Sequence, residues 1–219
     1  ERRQTGEPIA YILGRREFWS LELEVTPDTL IPRPETERLV ELALELLPQD
    51  RPITVVDLGT GSGAIALALA IERPRAHTIA TDRSPAALII AQRNAQRLKI
   101  SNIEFRIGNW CEPLADECFD LIASNPPYIA TTDPHWQQGT LRFEPSAALI
   151  ASDNGLNDLR LIILQAPTHL NPGGWLLLEH GYDQGAAVLA LLQARGFVAI
   201  SDYCDAAGIN RISCGRWPV

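Results

Sequence analysis

The chain has 219 residues, 46% of them hydrophobic and 21% charged, with 19 basic and 27 acidic side chains and a formal net charge of −8. That length allows one large domain, or one domain with a small appendage, and the composition excludes an intrinsically disordered chain. The acidic balance weighs against a phosphate-backbone partner, and no apolar stretch is long enough to span a bilayer. Cys111, Cys118, Cys204 and Cys214 show no CxxC spacing, so neither a zinc centre nor a disulfide framework is expected, and reduced thiols in the cytoplasm are the default. The opening residues carry no signal-peptide pattern, and a first residue Glu1 instead of Met reads as a fragment or a processed form.

In chain order, "PIAYILG" (8–14) and the alternating "REFWSLELEV" (16–25) read as two strands of an N-terminal hairpin. "LIPRP" (30–34) is a proline-stiffened connector, and "ETERLVELALELL" (35–47) carries apolar residues at helical spacing behind Pro34. Strand and helix then alternate. "ITVVDL" (53–58) leads through a glycine-rich turn to a helix over 64–72. "HTIATD" (77–82) precedes Ser84 and Pro85, an N-cap followed by proline at the first helical position, for a helix to residue 98. Strands are expected at 102–108 and 119–124. Residues 125–154 lack periodicity, and loops of that length are usually functional or disordered. A helix over 156–170, a buried strand over 174–181, a helix over 184–196 stopped by Gly196, and two antiparallel strands at 197–204 and 210–217 complete the chain. This pattern predicts an α/β fold with a doubly wound, mostly parallel sheet, an antiparallel C-terminal strand pair and a short N-terminal β-hairpin. Residues 1–34 are then hairpin and connector, and 35–219 form one α/β domain.

"VVDLGTGSGAIA" places Gly59, Gly61 and Gly63 between a strand and a helix, with Thr60 and Ser62 between them. Glycines there let the backbone turn tightly and approach a ligand that any Cβ would meet. Gly59-x-Gly61-x-x-Ala64 also fits a dinucleotide fingerprint, with Asp82 at a suitable distance to accept from ribose hydroxyls, so a nicotinamide-type oxidoreductase stays open at this point. Asp57 argues for a cationic ligand. A carboxylate before the turn would repel a pyrophosphate but meets an ammonium group directly or through water.

"SNPPYIA" (124–130) follows a buried strand, at the carboxyl end where doubly wound sheets bind ligands. Pro126 and Pro127 stiffen the chain and remove two amide donors. A planar nitrogen, in a carboxamide or an exocyclic base amine, is a poor nucleophile because its lone pair is delocalised. Asn125's side-chain oxygen and Pro126's backbone carbonyl can accept both of its N–H hydrogens, and Tyr128 offers a flat face for the group. The prolines set these positions before substrate arrives.

The glycine loop, Asp82 and Asn125-Pro126-Pro127-Tyr128 together resemble a class I S-adenosylmethionine-dependent methyltransferase with a Rossmann-like sheet. "TLIPRPETE", "VDLGTGSGAIALALA", "GNWCEPL", "SNPPYIA", "HWQQGTLRFEPSAAL" and "LLLEHG" resemble the HemK/PrmC family across nearly the whole chain. The resemblance implies methylation of the side-chain amide nitrogen (N5) of glutamine in the Gly-Gly-Gln tripeptide of peptide chain release factors. It implies that Gly59 to Gly63 hold the methionine part of S-adenosyl-L-methionine, that Asp82 holds its ribose, and that Asn109 and Trp110 lie by the adenine. Asn125 to Tyr128 would grip the glutamine. The family often has Asp where this chain has Asn109, which can still exchange a hydrogen bond with an adenine amine. Family members usually carry a small helical N-terminal domain that recognises the release factor, and no such segment is expected within residues 1–219.

A nucleic-acid methyltransferase acting on an exocyclic base amine is the alternative. The acidic balance and the lack of a basic, aromatic-interleaved tract weigh against it and against stable nucleic-acid binding. Arg33 and Glu35 either border the site or form a connector salt bridge. Glu179-His180 looks like an acid–base pair but, at the tail of a buried strand, reads better as a satisfied structural pair. His135, Arg142 and Glu144 lie where the long loop could cover the site.

Overall fold

The structure, a computed structural model, describes residues 1–49 and 51–219. Its centre is a seven-stranded sheet. The strands β3 (Thr54–Leu58), β4 (His77–Asp82), β5 (Ile103–Ile107), β6 (Phe119–Ser124) and β9 (Leu170–Glu179) are parallel. The last two strands, β10 (Val198–Cys204) and β11 (Asn210–Arg216), pair antiparallel, and β11 runs antiparallel to β9. The order is β10-β11-β9-β6-β3-β4-β5, so the chain steps outward from β3 and then returns to its other side at β6. The switch point of the doubly wound sheet therefore lies between β3 and β6, and a crevice opens beyond their carboxyl ends.

Helices α2 (Glu37–Leu46), α3 (Ala64–Glu72), α4 (Pro85–Leu98), α5 (Asn157–Gln165) and α6 (Gly185–Arg195) cover the sheet. Strand alternation divides the core into two layers. Val55, Leu121 and Leu177 face a cluster with Leu39, Leu42, Leu67 and Leu69 of α2 and α3. Their neighbours Val56, Ile122, Leu176 and Leu178 face Leu159, Ile162, Val188 and Leu192 of α5 and α6. The Ser84 hydroxyl accepts from Ala87 N at 3.2 Å, with Pro85 at the first helical position, so α4 begins as the sequence predicts. Gly196 ends α6 in the left-handed conformation.

The N-terminal segment differs from its sequence reading. Residues 16–25 are not one strand: β1 (Arg15–Phe18) and β2 (Leu21–Glu24) are themselves the hairpin, with Phe18 opposite Leu21. Trp19 and Ser20, both at positive φ, form the two-residue turn that a right-twisted hairpin favours. Residues 8–14 are not its partner strand but a short helix, α1 (Ile9–Leu13), capped by left-handed Gly14. The hairpin packs through Phe18, Leu21 and Leu23 onto the same core as α2 and α3. Buried Asn94 ties it to the glycine loop: its Oδ1 accepts from Glu24 N at 2.7 Å and its Nδ2 donates to the carbonyls of Glu24 and Ser62.

The aperiodic stretch after β6 is ordered by β7 (Ile129–Ala130), which pairs in parallel with β8 (Ile150–Ala151), and by single 3₁₀ turns between them. The helix expected over 156–170 stops at Gln165 and continues as one 3₁₀ turn to His169. The strand that follows starts earlier than expected, at Leu170. Among the described residues, no helix is long and apolar enough to cross a membrane.

Candidate active site

A cleft open to solvent lies beyond the carboxyl ends of β3, β4 and β6. Of the residues singled out in the sequence, Gly59 to Ser62, Asp82, Asn109, Trp110, Asn125 and Pro127 line it. Asp57, Gly63, Pro126 and Tyr128 do not. The connector after the hairpin, including Leu30, Pro32, Arg33 and Thr36, forms the facing wall. Of these, Arg33 was read from the sequence as either bordering the site or forming a salt bridge, and it does both, whereas nothing local in "LIPRP" marked Leu30, Pro32 or Thr36 as part of a wall.

Backbone contacts shape the glycine-loop half. Gly59 N and Thr60 N donate to the Thr81 carbonyl at 2.9 and 2.8 Å. A Cβ on Gly59, held at φ +74°, would stand 3.2 Å from the Trp110 ring, so the loop and the indole need that glycine to lie against each other. Asp82 joins the loop to β4: Oδ2 accepts from Gly61 N at 2.9 Å and Oδ1 from Ser84 N at 2.8 Å. Burial pushes its pKa up, and the two backbone N–H groups pull the other way. Each oxygen keeps a further lone pair, and the residue borders the cleft.

Asp57 sits behind the loop, 1% exposed. Its Oδ2 accepts from the Thr60 hydroxyl at 2.7 Å and from Ala66 N at 3.2 Å, at the start of α3. Oδ1 is buried with no hydrogen-bond partner among the described residues. Burial pushes this carboxyl up to about 7.

Side chains from distant parts of the chain hold the second half. Asn125 Nδ2 donates to the Thr36 hydroxyl at 3.2 Å, and Thr36 donates in turn to Glu179 Oε2 at 2.6 Å. The Tyr128 hydroxyl donates to Glu179 Oε1 at 3.3 Å. Glu179 is 1% exposed, and burial pushes it up to about 7 against the pull of the two hydroxyls and of Arg211. Gln184 Nε2 donates to the Tyr128 carbonyl at 3.0 Å, while its Oε1 accepts from Gly181 N. Gly155, at φ +83°, passes so close that a Cβ there would stand 2.1 Å from the Tyr128 carbonyl oxygen. The prolines are thus not alone in stiffening this turn. It is clamped from outside by Gln184 and Gly155.

Glu179 and His180 do not pair with each other. His180 is fully buried on the other side, with Nδ1 2.8 Å from the Gly181 carbonyl. Its Nε2 lies 3.1 Å from Asp202 Oδ1 and 3.0 Å from the Ser213 hydroxyl. A nucleophilic triad needs serine and aspartate on opposite ring nitrogens. Here both share Nε2, which makes the trio structural. Arg33 makes an ion pair with buried Glu144, which also accepts from Ile31 N at 3.0 Å, so the long loop is clasped to the connector. Glu35 is exposed and takes no part in that bridge. Arg142 donates to the Thr5 carbonyl and stacks on Phe143, away from the cleft lining. The His135 side chain lies outside the described atoms. Among the described residues, no group of three His, Cys, Asp or Glu could hold a metal ion.

A family profile described as a methyltransferase domain matches residues 49–205. The release factor glutamine methyltransferase of Xylella fastidiosa (strain Temecula1) is 56% identical over 218 residues, which is 100% of this chain and 79% of that protein. The chain belongs to the release factor glutamine methyltransferase family. Its Escherichia coli relative of the same name is 52% identical over 99% of this chain and 78% of its own length. A solved member, the release factor-specific protein-(glutamine-N5) methyltransferase from Alicyclobacillus acidocaldarius, superposes with a TM-score of 0.54 at 30% identity, covering 90% of this chain and all of that one. Family membership accounts for the pairing of a glycine loop with an Asn-Pro-Pro-Tyr turn across one crevice, and it rules out the dinucleotide oxidoreductase that the glycines alone left open.

Proposed function

We propose that the protein transfers a methyl group from S-adenosyl-L-methionine to the side-chain amide nitrogen (N5) of the glutamine in the Gly-Gly-Gln motif of peptide chain release factors. The observation that carries this reading is the orientation of Asn125. Its amide nitrogen is committed to Thr36, so its carbonyl oxygen is left to accept from an amide N–H in the cleft. Oxygen acceptors are what a primary carboxamide needs from an enzyme that uses its nitrogen.

The residues present fit the cofactor. Gly61, at φ +57°, has nothing within 4 Å of where a Cβ would lie, so its backbone is open to a ligand. Asp82 offers spare lone pairs to vicinal hydroxyls, and the unpartnered Oδ1 of Asp57 suits an ammonium group reached through water. Asn109 and the Trp110 ring form the wall suited to a purine. When bound, S-adenosyl-L-methionine supplies an electrophilic methyl on a sulfonium centre and leaves as S-adenosyl-L-homocysteine.

The chain's own work is alignment. Asn125 Oδ1, which borders the cleft, accepts one N–H hydrogen of the glutamine amide, and the second acceptor in this reading is the backbone carbonyl of Pro126, a residue outside the lining of the ligand-free cleft. The clamped turn keeps these acceptors in place without reorganisation. No strong base is required, because a methylated, protonated amide is acidic enough to lose its proton to water. The acidic surface suits a protein substrate in the cytoplasm better than a nucleic acid. The proposed organisation places the methyltransferase domain at 35–219, preceded by hairpin and connector.

The deciding experiment presents labelled S-adenosyl-L-methionine with purified release factor beside tRNA, rRNA and DNA. Label on the Gly-Gly-Gln glutamine, located by mass spectrometry at the side-chain nitrogen, is the expected outcome. Label on a base amine, with the release factor unmodified, would overturn the reading.

A further inference from the structure

The chain Asn125–Thr36–Glu179 has a direction, and that direction decides which atom of Asn125 faces the cleft. Above about pH 7, the range in which the variants below are compared, Glu179 is ionised and its carboxylate only accepts. Thr36 Oγ1, 2.6 Å from Glu179 Oε2, must therefore spend its one proton on that oxygen. The hydroxyl then has only lone pairs left for Asn125, so the atom 3.2 Å away must be the amide nitrogen. Glu179 lies 54 positions after Asn125 and 143 after Thr36; the parallel pairing of β6 with β9 sets Asn125 beside Glu179, and the packing of α2 against both strands brings Thr36 to them.

We propose that Thr36 and Glu179 are positioning residues that set the rotamer of the Asn125 amide, so that its oxygen and not its nitrogen meets the substrate's N–H. The inference rests on the proposed glutamine methylation and adds a control that the tetrapeptide does not contain. An asparagine amide is nearly symmetric in shape, so packing alone does not choose between its two orientations. The wrong orientation would point N–H at N–H. If the carboxylate is removed but the Thr36 hydroxyl remains, that hydroxyl is free to donate to Asn125 Oδ1, which turns the amide the wrong way. Removing Glu179 therefore does more than delete a contact. It reverses the chain.

This reversal gives a test that a merely structural role would not pass. The wild-type enzyme is first shown to methylate release factor; failure there sinks the functional reading itself, and the present inference is judged only by comparing variants against that rate. Glu179→Leu should lower kcat at saturating release factor by about a hundredfold, the scale of losing one oriented group at a reacting centre. Thr36→Val, which leaves Asn125 free but not misdirected, should lose about tenfold. The Thr36→Val/Glu179→Leu double variant should then be faster than Glu179→Leu alone by several-fold, because the misdirecting hydroxyl is gone. Glu179→Gln should stay within about threefold of wild type, since its amide oxygen still accepts from Thr36 while its nitrogen donates to Tyr128.

S-Adenosyl-L-homocysteine affinity, measured by calorimetry, reports that each variant is folded. A double variant as slow as or slower than Glu179→Leu would overturn the proposal. If Glu179→Leu does not fold, the order of two Thr36 variants decides. A hydroxyl-dependent role makes Thr36→Ser faster than Thr36→Val, whereas a packing role reverses that order because valine keeps the threonine shape.

Discussion

The two halves of the cleft each have a buried carboxylate behind them, and the two carboxylates are held differently. Asp57, behind the glycine loop, binds its own neighbours: Thr60 is three residues away and Ala66 nine. Glu179, behind the Asn-Pro-Pro-Tyr turn, binds Thr36 and Tyr128, which are 143 and 51 residues away. One half is therefore shaped by local backbone, and the other by a relay that exists only when the whole sheet is assembled. The glycine-loop half is therefore open to damage mainly through its backbone, while the Asn-Pro-Pro-Tyr half is vulnerable through Thr36 and Glu179, which act by way of Asn125.

The comparison is tested most severely at the end of the relay. Asn125→Ala removes one of the two acceptors proposed to align the amide nitrogen, and by analogy with deleting one donor from an oxyanion hole kcat should fall about 10²–10³-fold. Cofactor affinity should change far less. A folded Asn125→Ala enzyme with near-normal turnover on release factor would reduce the tetrapeptide to a turn.

That contrast between local and distant partners also explains what could be read in advance. The strand at 77–82, the helix at 64–72 and the Ser84-Pro85 cap were legible because each depends on neighbours within a few positions. Gly59, Asp82 and Asn125 were legible as cleft residues for a related reason: strand ends in a doubly wound sheet converge by topology. The hairpin was misplaced because Trp19 and Ser20 make its turn without glycine, so the apolar alternation ran on through it unbroken. Pro8 before residues 9–13 and Gly14 after them were the available signals of a helix there. Thr36, Gln184 and the outward role of Glu179 carried no local signal. Threonine in "RPETE" looks like helix-start chemistry, and "EHG" pairs two residues that alternation sends to opposite faces.

The carboxylates themselves give the next largest effect, in stability. Asp57 and Glu179 are both pushed up to about 7 by burial, so the folded protein binds protons that the unfolded chain has released between about pH 4 and 7. Their contribution is fully present below the unfolded pKa values and is lost as pH rises through 7. The ligand-free protein should become less stable across that window, with each group contributing a slope of about 1.4 kcal/mol per pH unit. Asp57→Asn should remove one share of the slope in denaturant titrations run at several pH values. An unchanged slope would mean that Asp57 is ionised at neutral pH in its burial site.

On the cofactor side, Asp82→Ala deletes a carboxylate that both braces the loop through Gly61 N and Ser84 N and faces the cleft. Losing charge-assisted bonds to ligand hydroxyls should weaken S-adenosyl-L-methionine binding by about 1.5–3 kcal/mol. Calorimetry showing unchanged affinity in the folded variant would remove Asp82 from the binding site and leave it only its bracing role.

The smallest effect is expected at Tyr128, and it separates ring from hydroxyl. Burial, and then the nearby Glu179 carboxylate, push the phenol's pKa up, so it keeps its proton and serves as a donor to Glu179. That bond is long, 3.3 Å, whereas the Thr36 bond to the other carboxylate oxygen is 2.6 Å. Tyr128→Phe therefore leaves the shorter link of the relay intact, and with it the orientation of Asn125. It also leaves the Tyr128 backbone carbonyl on Gln184. The ring face that a planar amide would lie against is unchanged. Losing one weak neutral-to-anion hydrogen bond should cost less than about threefold in kcat, with KM for release factor unmoved. A fall as deep as that of Asn125→Ala would show that the phenol oxygen itself contacts the reacting amide. The substrate half would then be built on a direct contact instead of a relay.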